Sequence, residues 1–396
     1  MSTTQTSPQY DIEKSVMSRY NDGAQALQKQ LCCPITQYDA QYLKVIPQEI
    51  MEKDYGCGDP SQYVSQGQTV VDLGCGAGKI CYILAQKVGQ NGHVIGVDFN
   101  DEMLKLAHKY HRTIAGAIGY DNVRFYKGRI QDLALSLDKV DSYLEVHPVN
   151  SVENMLVFEA ESDRLRHNEP MIADNSVDVV VSNCVLNLVK PQHKQQLFGE
   201  IFRVLNRGGR AVISDIVCDE SPSQKILDDP QLWSGCISGA FREDAFLGMF
   251  EDAGFHGIEI LVRQAEPWQV IDGIKFRSMT VRAYKGKQYP CHERHQAVMY
   301  KGPWKQVTDD DGHTLLRGQR IDVCDKTCHI LTDPAGPYAG QTVAIEPYNT
   351  VPPEHAKPIP CTGSTIRHPR QTKGENYYET PPSHSDCCTP GTSGLC

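Results

Sequence analysis

The sequence predicts an α/β chain built on a mostly parallel sheet with helices on both faces. Three observations carry that expectation. Apolar runs of strand length alternate with helical stretches. The run Val70, Val71, Leu73 enters the glycine-rich turn Gly74, Gly76, Gly78, and a second run, His93 to Asp98, ends in an acid.

In chain order, a helical segment is expected near Asp11 to Tyr20, followed by strands near Thr69 to Leu73, His93 to Val97, Val123 to Lys127, Val177 to Val181 and Arg210 to Asp215. Helices are expected between them at Lys79 to Val88, Asp101 to Ile114 and His193 to Leu205, the last closing on Arg207, Gly208 and Gly209 as a basic last turn and glycine stop. Residues 134–173 are too long for an ordinary crossover and read as an insertion. Ala297 to Val323 reads as short strands with an Asp-Gly turn at Asp311 and Gly312, and from Asp333 the Pro, Gly, Ser and Thr content predicts a flexible tail. The expected organisation is an N-terminal segment 1–66, a nucleoside-binding domain 67–220, a region 221–285 completing the catalytic part, a β-rich module 286–332 and a tail 333–396.

With 396 residues and 40% hydrophobic content the chain can build one main core plus an appendage. It has no apolar run of about eighteen residues and no basic-then-apolar leader, so a soluble, cytoplasmic protein without a membrane partner is expected. A net charge of −10 argues against general nucleic-acid binding, which needs clustered Lys and Arg, and points to a small partner. Fifteen cysteines without an export signal are expected to be mostly thiols, and none of the spacings singled out forms the short knuckles of a zinc ribbon.

The glycine turn alone fits a dinucleotide or a methyl donor. Asp72, two residues before Gly74, separates them: a carboxylate meets the ammonium of a methionine moiety but repels a pyrophosphate. Asp98, about 20 residues beyond the turn, suits a ribose diol. Together they favour S-adenosylmethionine, with Gly74, Cys75, Gly76, Gly78 and Asn100 also assigned to the cofactor. Met103 is placed on the adenine or in the core, Arg129 and Ile130 at the adenine edge, and Asn183 beside the donor or as a turn residue. Cys184 directly follows the strand at Val177, and Cys236 lies between glycines just before an expected helical stretch, where a thiolate is more easily stabilised. Thiolates able to converge over a methyl donor suit a soft acceptor.

The motifs YGCG around Cys57, LGCGAGKICY, VVSNCVLNLV around Cys184 and LWSGCISGA around Cys236 resemble the arsenite methyltransferases from about Ser15 through Tyr284. The resemblance implies a Rossmann-like class I methyltransferase sheet. It implies that Cys184 and Cys236 hold trivalent arsenic, that Cys57 completes a three-thiolate shell, and that Cys32 or Cys33 enters disulfide cycling. The segment QAVMYKGPW is similar to the C-terminal portion of microbial and fungal members. Arsenite and methylated arsenite are then the substrates, with thioredoxin or glutathione as the thiol reductant. Cys75 stands where serine is common, Cys81 reads as core filler, and Cys387, Cys388 and Cys396 read either as metalloid capture or as an incidental cluster. An enzyme acting on an organic acceptor would not need Cys57, Cys184 and Cys236 together. A non-catalytic metalloid binder could dispense with Asp72 and Asp98.

Overall fold

The structure is a computed structural model describing residues 12–25, 38–53, 55–360 and 365–373. It comprises two compact units, Met1–Lys287 and Gln288–Cys396. In the first, α1 (Ile12–Gln25), α2 (Ala40–Leu43) and α3 (Gln48–Glu52) precede the alternation β1 (Thr69–Leu73), α4 (Lys79–Val88), β2 (His93–Asp98), α5 (Asp101–Ile118) and β3 (Val123–Lys127). Then come α6 (Leu137–Val146), α7 (Val152–Asn168), β4 (Val177–Asn183), α8 (Lys194–Val204) and β5 (Leu205–Cys218). The unit ends with α9 (Gln224–Leu227), α10 (Pro230–Ser234), β6 (Phe241–Arg242), α11 (Glu243–Asp252), β7 (His256–Arg263), β8 (Gln269–Ile271) and β9 (Ile274–Tyr284).

The main sheet runs β3-β2-β1-β4-β5-β9-β7. Its first five strands are parallel, whereas β9 is antiparallel to both β5 and β7. Side chains alternate between two cores, as the pleat requires. Val71, Val180 and Ile213 pack on the face covered by α8 and α11, while Val70, Val179, Val181 and Val212 pack on the face covered by α4 and α5. Burial on both faces explains why these strands read as apolar runs.

Two expectations are overturned, and the insertion, whose structure the sequence leaves open, gains one. Arg207, Gly208 and Gly209 do not stop a helix: α8 ends at Val204 and these residues open β5. The glycine backbones pair with the end of β9, Gly208 N–H to Lys285 O at 2.7 Å and Lys285 N–H to Gly209 O at 2.9 Å. A Cβ on Gly209 would lie 3.0 Å from Asp178 O. The insertion is helical, α6 and α7 being capped by Ser136 and Ser151, which accept from Lys139 and Asn154 N–H groups. Of α7 only Ser162 and Leu165 are buried, so its sequence shows little helical periodicity.

The second overturned expectation lies in the second unit, made of β10 (His292–Glu293), β11 (Ala297–Tyr300), β12 (Gln306–Thr308), β13 (Thr314–Leu316), β14 (Arg320–Asp322), α12 (Asp325–Thr332), β15 (Thr342–Ile345) and β16 (Lys357–Pro358). The β12–β13 hairpin closes at the Asp-Gly site, with Gly312 at φ 85° and the Asp309 carboxylate accepting from Asp311 and His313 N–H groups. The segment after Asp333 is no loose tail as far as it is described. Thr342–Ile345 pairs with all four residues of β11, and Arg367, 4% exposed, pairs with Glu293 and Asp322. A four-residue strand between Pro/Gly-rich stretches gains its order from the partner strand, which local composition does not reveal. Residues 374–396, with Cys387, Cys388 and Cys396, lie outside the described residues.

Two outcomes follow from this packing. Phe198 is fully buried, edge-to-face with Phe250 at 4.9 Å, so Phe198→Ala should cost about 3–5 kcal/mol in urea unfolding. A chain ending at Gly340 lacks β15, and the β11 amides, measured by hydrogen exchange, should lose their protection.

Candidate functional site

A cavity of about 300 Å³ opens where β1, β2 and β4 end at their carboxyl edges, the usual ligand position in such sheets. Gly74, Cys75, Gly76, Asp98, Asn100, Met103, Arg129, Ile130, Asn183 and Cys184 all line it, and α1 supplies an opposite wall through Val16, Met17 and Tyr20. Asp72 and Gly78 stand behind the turn. Asp72 is 2% exposed and accepts from the Cys81 thiol at 3.3 Å, while a Cβ on Gly78 would lie 2.9 Å from the Phe125 ring.

The turn is shaped by backbone geometry. Gly74, Gly76 and Gly78 have φ of 68°, 51° and 84°, a region that disfavours side chains. A Cβ on Gly74 would strike Val185 at 2.4 Å, whereas one on Gly76 would meet nothing within 4 Å: its free face is room for a ligand. Asp98 accepts from Gly76 N–H at 2.9 Å and Asn100 N–H at 2.8 Å, and burial raises its carboxyl pKa. These backbone bonds do not exhaust the carboxylate's lone pairs, which leaves acceptor capacity for a diol. Asn100 caps α5, accepting from the Glu102 and Met103 N–H groups. Met103 and Ile130 are buried apolar wall, and Arg129 pairs with Glu13 of α1 at 3.3 Å. An open glycine face, an anchored acid and an apolar slot fit a nucleoside-bearing methyl donor. Burial pushes the Cys75 thiol up to about 11 and the Cys81 thiol well above its usual value, so both are neutral in this wall.

Beside the cavity Cys57, Cys184 and Cys236, 2%, 4% and 5% exposed, share a buried cluster with Ile216, Ile237 and Phe276. The sulfurs of Cys57 and Cys184 and a carboxylate oxygen of Asp215 lie within 4.8 Å of one another. The Cys236 thiol donates to the Cys184 carbonyl at 3.2 Å and also bonds the Tyr20 side chain. Burial first, then the Cys236 and Cys184 sulfurs, hold the Tyr20 pKa well above its ordinary value. Cys184 and Cys236 have φ of 66° and 62°, strain of a kind that concentrates at functional sites. Cys236 does not precede a helix as expected. It follows α10, whose C-terminal end offers no N–H groups to a thiolate, and the next element is β6. Cys32 and Cys33 lie outside the described residues.

Sequence reasoning missed three neighbours. Asp215 is fully buried and accepts from Leu186 N–H at 2.9 Å and Ile216 N–H at 2.8 Å, and burial pushes its carboxyl up to about 6. An acid inside the apolar run Ala211 to Val217 was the available signal. Tyr20 and Asn187 gave none, because their partners lie far off in sequence.

A family profile described as a methyltransferase domain matches residues 64–162 and 156–254, and one described as a domain of unknown function matches residues 287–377. The arsenite methyltransferase of Aquipseudomonas alcaligenes is 29% identical over 342 residues, 81% of this chain and 88% of that protein. That of Mus musculus is 27% identical over 339 residues, 81% of each chain. The crystal structure of an arsenic(III) S-adenosylmethionine methyltransferase from Chlamydomonas reinhardtii shares the fold, with a TM-score of 0.51 at 24% identity over 77% of this chain and 94% of that one. Among the described residues no helix is long and apolar enough to cross a membrane. Sheet order, glycine turn and similarity along most of the chain agree: this is a class I S-adenosylmethionine-dependent methyltransferase fold, similar over about four-fifths of its length to arsenite methyltransferases.

Proposed function

We propose that this chain methylates trivalent arsenic held by Cys57, Cys184 and Cys236, and that thiols are oxidised and re-reduced between transfers. The observation that carries the reading is Cys184, which lines the donor cavity and also belongs to the buried thiol cluster with Cys57 and Cys236. One residue thus faces both reactants. The relatives' named activity on arsenite agrees with it.

When bound, S-adenosylmethionine supplies a methyl group on a positively charged sulfur. The residues of this chain orient and enclose. The Gly74–Gly76 turn and Asp98 fix the nucleoside, Met103 and Ile130 exclude water, and Asp72, behind the turn, adds negative charge near the methionine end. Each thiol exchanges for an arsenic hydroxyl with release of water, and Cys236 turns from the Cys184 carbonyl to do so. Three sulfurs on arsenic leave its lone pair directed away from them. That pair carries no proton, so positioning rather than general-base chemistry supplies the acceleration. The new As–C bond leaves arsenic formally pentavalent. Two thiols return two electrons and close a disulfide, with Cys32 or Cys33 assigned to this cycle, and thioredoxin or glutathione reopens it in the cytoplasm.

Cys184→Ser and Cys236→Ser should each abolish methylation of inorganic and monomethylated arsenite, read by product speciation, because hydroxyl oxygen is a poor ligand for a soft centre. Full turnover in a folded variant removes the thiolate reading. Asp98→Asn should weaken S-adenosylmethionine binding by on the order of 2 kcal/mol in calorimetric titration, with the protein still folded.

A further inference from the structure

We propose that Asn183 and Asn187, on either side of Cys184, are positioning residues that set the spacing of the three thiols, Asn183 by holding Cys57 and Asn187 by holding Cys236. The inference rests on Cys57, Cys184 and Cys236 being the arsenic-binding set.

The three cysteines come from separate parts of the chain: the loop before β1, the end of β4, and the turn between α10 and β6. Cys184 is fixed by the backbone ladder of the sheet, its N–H donating to Ser214 O at 2.8 Å. The loop carrying Cys57 is bolted to β4 through the amide of Asn183. Its Oδ1 accepts from Cys57 N–H at 2.8 Å and Gly58 N–H at 3.0 Å, and its Nδ2 donates to Gly58 O at 2.8 Å and Tyr38 Oη at 3.2 Å. A primary amide has two acceptor and two donor positions, and all four are spent, three on this loop and one on Tyr38. Although Asn183 borders the donor cavity, it has no hydrogen bond to spare for the donor.

The clamp also explains the glycines around Cys57. A Cβ on Gly56 would lie 2.1 Å from Asn183 Nδ2, and one on Gly58 would lie 2.5 Å from Ser214 Oγ. The Cys57 carbonyl is held from the other side, accepting from Ser278 Oγ at 2.7 Å.

Asn187 makes the second clamp. Fully buried, it donates through Nδ2 to Ile216 O at 2.7 Å and Cys236 O at 3.2 Å. Its Oδ1 has no hydrogen-bond partner among the described residues, so the amide is kept for its donors at the expense of an unpaired acceptor. The Cys236 turn presses close, since a Cβ on Gly239 would lie 1.9 Å from the Asn187 carbonyl oxygen. One five-residue segment therefore registers the sulfurs delivered by two distant loops. A pyramidal three-sulfur site tolerates little error in that register.

The test uses the reduced full chain and steady-state kinetics with inorganic arsenite, monomethylated arsenite and S-adenosylmethionine varied separately. Monomethylated arsenite has two exchangeable hydroxyls and needs only Cys184 and Cys236. Asn183→Ala should raise KM for inorganic arsenite about tenfold or more, the scale on which supporting shells act. It should leave KM for S-adenosylmethionine and turnover of the monomethylated substrate near wild type. Combined with Cys57→Ser it should add nothing, because both remove the same ligand. Asn187→Ala should impair both arsenic substrates. Gly56→Ala, which displaces the Asn183 amide without altering it, should repeat the Asn183→Ala pattern and serves if that variant fails to fold. A rise in KM for S-adenosylmethionine alone makes Asn183 a donor contact and overturns the proposal, as does an additive effect with Cys57→Ser. If Cys57→Ser leaves arsenite methylation intact, the ligand set itself is wrong. If Cys57→Ser is impaired while Asn183→Ala is normal, only the positioning role falls.

Discussion

The pairing of β4 between β1 and β5 is the constraint on which the site depends. Val179, Val180 and Val181 are fully buried in this strand, locked in parallel register on both sides. The strand delivers its last residue, Asn183, and the left-handed turn at Cys184 to one fixed point at the sheet edge. Val185, just beyond, is the side chain against which the Gly74 backbone packs, so the turns after β1 and β4 fit each other. Gly74, Cys184 and Val185 all line the cavity, and Cys184 also belongs to the thiol cluster. Neither could shift without disturbing the central strand.

The chemistry of the thiol cluster is set by how its polar groups are supported. Asp215 is buried beside two sulfurs, and backbone N–H groups from Leu186 and Ile216 offset part of the cost of its charge. Lys194 stands nearby, its ammonium donating to Gly239 O at 2.6 Å and lying 3.7 Å from the centre of the Phe241 ring, while burial brings it down to about 8. The Cys236 turn thus rests on a cation as well as on an amide. These groups hold in place the backbone around the three thiols.

The central strands and the glycine turn were legible because each obeys a local rule: strands buried on both faces read as apolar runs, and positive φ selects glycine. Cys57, Cys184 and Cys236 stand out through the strings around them, and the structure gathers the three in one buried cluster. The amide clamps were not legible, since Asn183 reaches a loop 126 residues away and Asn187 a turn 49 residues away, and no short window contains either partner. The helix α7 escaped notice for the opposite reason. Val152, Met155, Leu156 and Val157 are exposed, so its apolar residues mark no buried face. β15 is invisible without β11 beside it. What sequence conveys well is short-range geometry and burial; what it hides is the meeting of distant polar groups.

The left-handed backbone at Cys184 and Cys236 leaves a mark on how such sequences can diverge. Valine, isoleucine and threonine are barred there by their branched Cβ, and even alanine carries a steric penalty, whereas glycine and asparagine enter that region freely. The backbone at these two positions therefore restricts which side chains could replace the sulfurs without moving the chain, independently of what the sulfurs do.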